Sequence, residues 1–509
     1  VREAASRRTT GRNEAAREGF AMAGRERLCD RTLATAAGAS LPGYGRARST
    51  VGIVHLGVGN FFRAHQAVYT DDCLRAGETG WAIHGTSLRS ADTRDALAPQ
   101  DGLYAVVERD GAEERARIVG SLKELSVAPE NPAALVARMA DPAVRIVTST
   151  VTEKAYLRDA KGDLDLSHPD IAHDLGNLDR PKTVHGFIAA ALRARRAAGI
   201  APFTVLCCDN LPDNGGTLHR LSLQFAEALG GGFRAFVEDE VAFPSTMVDR
   251  IVPATTDTDR VRIAERLGLE DAWPVFTEPF MQWVVEDRFT AGRPRWEDHG
   301  AGMVADVKPY EDMKLRLLNG AHSGMAYLGV LSGREMVADA FGDPLIRRFV
   351  DALWGEAAAT LSPLLDTDAY REALSRRFAN TAIRHRCAQI AMDGSQKLPQ
   401  RVIATGRERL AEGRSADALM LVPAAWIAAA QARGRQLAAG LFTDPLDGKL
   451  ADIFARREGA EQTVRAVFAA AGFSVASAED PLVPIAARHL ASLRDKGTAA
   501  TLSAFLETL

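Results

Sequence analysis

The chain predicts an α/β fold in two parts, a helix-covered parallel sheet followed by a mainly α-helical domain. Three observations carry this expectation. Short apolar runs, at residues 51–56, 145–152 and 203–208, alternate with helical stretches as far as about residue 220. The first of them runs directly into a glycine turn and a helical pattern. From about residue 310 onward, long alanine- and leucine-rich segments of helical period take over, among them 345–360 and 419–438.

The length of 509 residues allows two or more domains and a large core. Residues 1–48 read as a leader, partly disordered, 49–300 as the sheet-bearing part, and 301–509 as the helical part. The crossing between the halves is expected at 289–304, where Gly-Arg-Pro and Gly-Ala-Gly interrupt the pattern. The alanine- and arginine-rich residues 1–27 superficially resemble a transit peptide, but Glu3, Glu14 and Glu18 spoil the acid-poor signature. A disordered leader ahead of a natural start near Met22 is the expectation.

The net charge of −4 is spread without long like-charge blocks, so nothing calls for nucleic acid or an anionic membrane surface. The five cysteines, Cys29, Cys73, Cys207, Cys208 and Cys387, show no zinc or disulfide spacing, and a reducing cytoplasm is the simplest home. No stretch approaches the roughly 18–20 apolar residues that span a bilayer.

The run Val51-Gly-Ile-Val-His-Leu-Gly-Val-Gly-Asn-Phe-Phe-Arg-Ala-His-Gln has the strand, glycine turn and helix order of a dinucleotide site. Gly57 would allow the tight turn, and Gly59 would let backbone N–H groups approach a pyrophosphate. The third glycine of that fingerprint is missing, since Phe62 holds its place. A second strand, near 81–88, is followed by Arg89 and Asp92. Asp92 would accept bonds from a ribose and repel a 2′-phosphate, favouring NAD over NADP, with Arg89 softening the preference. On local sequence Asp92 serves equally well as a helix N-cap.

Lys314, Asn319 and His322 lie in one run, Lys-Leu-Arg-Leu-Leu-Asn-Gly-Ala-His. On an α-helix, at about 100° per residue, they fall near 0°, about 140° and about 80°, on a partly apolar face with Leu315 and Leu318. Polar groups set into such a face need partners. Asn210 follows a strand-like run and would sit at its carboxyl end, where open α/β sheets bind ligands, or alternatively form an Asx-turn before Pro212.

Taken together these residues resemble the polyol-specific long-chain dehydrogenases, the family of mannitol dehydrogenase and fructuronate reductase. The likeness covers nearly everything after about residue 48. It rests on Gly57-Val-Gly-Asn-Phe-Phe-Arg-Ala-His-Gln, Val151-Thr-Glu-Lys, Cys208-Asp-Asn-Leu-Pro, Met247-Val-Asp-Arg-Ile and Glu278-Pro-Phe-Met-Gln-Trp-Val. Further along it rests on Pro309-Tyr-Glu-Asp-Met-Lys-Leu-Arg-Leu-Leu-Asn-Gly-Ala-His and Asp393-Gly-Ser-Gln-Lys-Leu-Pro-Gln-Arg.

The resemblance implies a Rossmann-type NAD-binding domain, a mainly helical second domain, a substrate cleft between them and no metal. It implies Lys314 as general base, Asn210 and Asn319 as amides holding the reacting oxygen, and Glu311 as a carboxylate relaying the proton. Free lysine titrates near ~10.4, so burial, helped by Arg316 or other cations, would have to lower it. His322, Asp249 and Lys397 match substrate-hydroxyl contacts. Gly57, Gly59, Phe61 and Asp92 match the cofactor site, and Phe62, standing where the family often has histidine, is expected beside the cofactor.

Gln389 departs from the arginine of mannitol dehydrogenases eight residues before Lys397, and the segment 384–401 looks closer to fructuronate reductases. Arg384, Arg386 or Arg401 would then meet a uronate carboxylate. Residues 85–104 and Asp271-Ala-Trp-Pro-Val look more like the mannitol enzymes. The expected reaction is therefore NAD-dependent interconversion of D-mannitol and D-fructose in a monomer or small homo-oligomer, with D-fructuronate reduction as the alternative. A dinucleotide-binding regulator without turnover is the reading from a different class, since a fold alone does not establish function.

Overall fold

Strand β1 (Val51–Leu56) is buried at every position, as an apolar run must be when helices cover both faces of a parallel sheet. In the computed structural model, which describes residues 24–432, 442–473 and 480–509, β1 pairs in parallel with β2 (Ala82–Ser87) and with β6 (Ile146–Ser149). Strands β5 (Leu122–Val127) and β7 (Thr204–Cys207) extend the sheet outward to give the order β5-β2-β1-β6-β7. This is the parallel, helix-covered sheet the apolar runs predict.

Two smaller sheets accompany it, and the sequence patterns did not anticipate either. The hairpin β3 (Tyr104–Asp110) and β4 (Glu113–Val119) pairs in parallel with β9 (Val275–Thr277). Strand β8 (Thr246–Asp249) lies antiparallel to β10 (Gln282–Glu286), which pairs in parallel with β11 (Gly302–Val304).

The described residues divide into two compact units whose border falls between Val307 and Lys308. Residues 289–304, expected as the crossing, belong to the first unit. Trp296 is fully buried there, its ring 4.6 Å from that of Trp283, and β11 adds a strand to a sheet. Buried aromatic area outweighs the local glycine punctuation.

Residues 24–48 are packed, not a loose leader. Leu28 is buried with Leu103 and Phe276, its N–H bonds Glu270 O at 2.9 Å, and the Ser40 N–H bonds Ala116 O at 3.0 Å. The earlier leader residues, with Met22, lie outside the described residues.

The second unit is helical. Helix Pro344–Ala358 starts where its sequence says it should, with proline at its first position and the Asp343 carboxylate accepting from the Leu345 and Ile346 N–H groups. Helix Asp417–Ala432 is buried on nearly every side, the pattern of a central core helix. Residues 433–438, the rest of that expected helix, lie outside the described residues. Two π-helical turns, Lys314–Asn319 and Pro399–Ile403, interrupt the α-helical pattern.

Candidate active site

Gly57 closes the turn after β1 with φ +100°, and a Cβ there would come within 2.3 Å of Thr150 O. Only glycine fits. Its N–H bonds Thr86 O at 2.9 Å, so the carboxyl ends of β1, β2 and β6 converge at this residue. A cleft of about 1490 Å³ opens at the same edge, lined among others by Gly57, Gly59, Arg89, Ser90, Thr93 and Thr150. Among the described residues, its chain neighbours apart, no atom lies within 4 Å of a Cβ built on Gly59, so a side chain there would instead take up space that a pyrophosphate needs. The volume, the bare backbone and the position at the sheet's carboxyl edge all fit a dinucleotide.

The helix expected after the turn comes in two pieces. Asn60–Ala64 ends at His65, whose φ of −127° and ψ of −93° are not helical, and Gln66–Arg75 follows. His65 Nε2 donates to Gln282 O at 2.8 Å, which holds the break. Phe61 is half-buried with its ring 4.9 Å from that of His65, and it is not in the cleft wall. Phe62 is fully buried in the core, stacked on His55 at 3.5 Å, and not beside the cleft as expected. Asp92 is exposed and opens helix Asp92–Leu97, with Ala91 as its N-cap, while Arg89, Ser90 and Thr93 form the wall.

At the other end of this edge Thr152 has φ +76° and ψ 152°, a conformation essentially reserved for glycine. The Asp209 carboxylate holds it by accepting from the N–H groups of Val151 and Thr152, both at 3.0 Å, and from the Tyr156 hydroxyl at 2.5 Å. Burial pushes the Asp209 carboxyl up from its ordinary range. Asn210, the next residue, is exposed just beyond β7. The buried Asn214 amide donates to Asp209 O at 3.0 Å and to Thr246 O at 2.9 Å, tying this turn to β8, at whose end Asp249 is buried. Sequence reasoning missed Asp209, Tyr156 and Asn214, because a clamp built from scattered turns leaves no periodic signature.

In the second unit the π-turn revises the expected α-helical wheel. A π-turn closes hydrogen bonds five residues apart, so Asn319 comes round beneath Lys314 and not about 140° away. Both side chains are half-buried. Such a turn survives only if its distorted backbone is satisfied from outside. The Trp354 indole donates to Leu317 O at 2.9 Å, and the Arg401 guanidinium reaches Asn319 O at 3.4 Å and Ser323 Oγ at 3.0 Å. Gly320 permits the second π-turn to approach, since a Cβ there would sit 3.3 Å from Arg401 O. Arg316, expected as a cation beside Lys314, is bound to Glu408 at 2.8 Å and to Thr360 Oγ1 at 2.6 Å. Glu311 is half-buried in helix Lys308–Met313, three positions before Lys314.

His322, one turn further on, is buried, and its Nε2 has no hydrogen-bond partner among the described residues. Burial holds it well below its ordinary pKa, and the charges of His385, Arg377 and Arg401 add to the effect. Lys397 donates to Met392 O at 2.7 Å and is lowered by burial first and by Arg401 second. Gln389 is exposed on the short helix Cys387–Ala391. Of the arginines expected near a carboxylate, Arg384 is exposed, Arg386 is exposed and pairs with Glu335 at 3.2 Å, and Arg401 is half-buried against the π-turn.

Among the described residues no group of three or more His, Cys, Asp or Glu is placed to hold a metal ion, and no helix is long and apolar enough to cross a membrane.

Comparison with known proteins finds two family profiles. The mannitol dehydrogenase Rossmann domain matches residues 51–298, and the mannitol dehydrogenase C-terminal domain matches 306–491. The chain is 43% identical over 440 residues to D-mannonate oxidoreductase of Escherichia coli, covering 85% of this chain and 90% of that protein. It is 44% identical over 391 residues to mannitol 2-dehydrogenase of Cereibacter sphaeroides, covering 76% and 82%. A solved structure of Pseudomonas fluorescens mannitol 2-dehydrogenase with NAD and D-mannitol superposes with a TM-score of 0.82 at 37% identity, covering 95% of this chain and all of that one. With both of its halves matched in order, the chain belongs to the mannitol dehydrogenase family, and it is an oxidoreductase of that family.

Proposed function

We propose that this protein is an NAD-dependent oxidoreductase that interconverts an open-chain polyol and its 2-ketose, D-mannitol and D-fructose being the first pair to try. The observation that carries the reading is the π-turn, which sets an amine and an amide five residues apart on one side of a pinned helix. In oxidation Lys314 takes the proton of the reacting hydroxyl, and Glu311 passes it towards water. The amides of Asn319 and Asn210 donate to the oxygen as it becomes a carbonyl, a role suited to neutral donors because they add no fixed charge beside the lysine. His322, Asp249, Lys397 and Gln389 bind the remaining hydroxyls. Gly57 and Gly59 admit the pyrophosphate, Asp92, just beyond the wall of Arg89, Ser90 and Thr93, accepts from the ribose, and Phe61 supports the turn from behind the cleft wall. When bound, the nicotinamide supplies the hydride acceptor in oxidation and the donor in reduction.

A second reading, reduction of D-fructuronate to D-mannonate, is favoured by the positive groups around His322, where Arg377 and Arg401 both act on the imidazole. NADH oxidation followed side by side with D-fructose, D-fructuronate, D-tagaturonate and L-xylulose, then repeated with NADPH, tests substrate and cofactor together. Turnover of fructose with NADH supports the first reading. Strong fructuronate turnover with negligible fructose activity replaces it with the second. A flat absorbance with every sugar leaves a dinucleotide-binding regulator. All five cysteines are free thiols, which suits a reducing cytoplasm as the place of work. The size and folding of the chain suit a monomer or small homo-oligomer.

A further inference from the structure

His385 has no part in the roles set out above, yet its surroundings in the second unit are those of a ligand contact. Its ring lies 5.6 Å from that of His322, edge to face at 80°. Its Nδ1 is buried without a hydrogen-bond partner among the described residues, as is Nε2 of His322. Two buried ring nitrogens left unpaired on adjacent imidazoles are uncommon, because each costs the desolvation of a polar atom unless something arrives to bond it.

The backbone fixes the residue. The Val337 N–H bonds His385 O and the Cys387 N–H bonds Glu335 O, both at 2.9 Å, forming an antiparallel bridge between Met336 and Arg386, the residue after His385. Burial and the nearby charge of Lys397 hold the imidazole below its ordinary pKa, so at neutral pH it is the uncharged form, with one donor and one acceptor. It therefore lies near both His322 and Lys397, two of the side chains of this unit assigned to substrate hydroxyls.

We propose that His385 is a specificity-determining residue of the substrate site, bonding the terminal group of the ketose, hydroxymethyl or carboxylate, together with His322 and Lys397. The proposal rests on the oxidoreductase reading above and deepens it. A neutral imidazole donates to either terminal group but accepts only from a hydroxyl, and the ammonium of Lys397 beside it favours a carboxylate. The pair thus sets the preference between the two ends.

The test uses D-fructose and D-fructuronate, which differ only in having a hydroxymethyl or a carboxylate at one terminal carbon. kcat/KM for both is measured with NADH for the wild type, His385→Ala and His385→Gln, and NADH binding is followed by fluorescence. The wild-type preference for one ketose should shrink about tenfold in His385→Ala, the size expected for one lost hydrogen bond to a bound substrate, with NADH affinity unchanged. His385→Gln, close in size and able to donate, should keep part of the preference, and it carries the comparison if the alanine variant fails to fold. Equal losses on both ketoses, or a preference unchanged within about twofold, would overturn the proposal while leaving the oxidoreductase reading intact. A wild type that reduces neither ketose would overturn the reading and the proposal with it.

Discussion

Lys314 and Asn319 can be changed separately, because the contacts that pin their turn run through backbone atoms and other side chains. The Arg401 bond goes to the Asn319 carbonyl, which an alanine retains. Lys314→Ala should therefore lower kcat by ~10²–10⁴-fold, the usual cost of a lost general base, while NADH binding measured by fluorescence stays at the wild-type level. Added primary amines should restore part of the rate. Wild-type turnover in the variant would remove Lys314 from the mechanism. Asn210→Ala and Asn319→Ala should each lower kcat by ~10²–10³-fold, the loss of one donor to a developing oxyanion. If steady-state kinetics show the change in KM alone, these amides hold the ground state and not the reacting oxygen.

Among the elements, the π-turn Lys314–Asn319 ties local geometry to chemistry most directly. An extra residue in a helical turn persists here because Trp354 caps Leu317 O and Arg401 braces the following residues. Trp354→Phe, which keeps the packing but removes the donor to Leu317 O, should let the segment relax towards α-helical spacing, where a five-residue separation turns Asn319 about 140° away from Lys314. We expect a folded protein by circular dichroism whose kcat has dropped by ~10²-fold or more, the usual penalty for misplacing a reacting group by about an ångström. Unchanged turnover would mean that the two side chains need not share a direction. The sheet edge offers a parallel case. There the strained Thr152 is held by two N–H bonds to Asp209, so a distorted backbone again persists because a distant side chain satisfies it.

At the level of the whole molecule, the two-part architecture was legible because both parts are periodic: apolar runs at 51–56, 145–152 and 203–208 that hold the buried strands Val51–Leu56, Ile146–Ser149 and Thr204–Cys207, then long amphipathic or apolar helices. The elements that escaped are those held by contacts distant in sequence. The sheet of β8, β10 and β11 depends on Trp283 packing against Trp296, and residues 24–48 depend on Glu270, Ala116 and Phe276. Motif spacing marked Lys314, Asn319 and His322, but helical period could not show the π-turn, since an inserted residue leaves the composition of a helix unchanged. His385 escaped because its signal is a buried, unpaired nitrogen, which exists only once the chain is folded.

The same burial predicts how the protein responds to acid. His55 and His185 are fully buried in the first unit, and burial lowers them to about 3 and about 4. In the unfolded chain they titrate near ~6.5. Below that pH the unfolded state binds more protons than the native one, so stability falls as pH falls, by up to ~1.4 kcal/mol per pH unit for each histidine. The loss continues until the pH nears the folded values. Asp209 and Asp271, raised by burial, act in the opposite sense and offset part of it at the acid end. Urea unfolding followed by tryptophan fluorescence should lose roughly 4 kcal/mol from the two histidines between about pH 6.5 and about pH 4.5, before that offset. His185→Gln should reduce the slope by the share of one histidine, the lowered His55, His322 and His385 keeping theirs. A flat profile over this window would mean that the native protein accepts these protons, and that neither imidazole is held neutral by its burial.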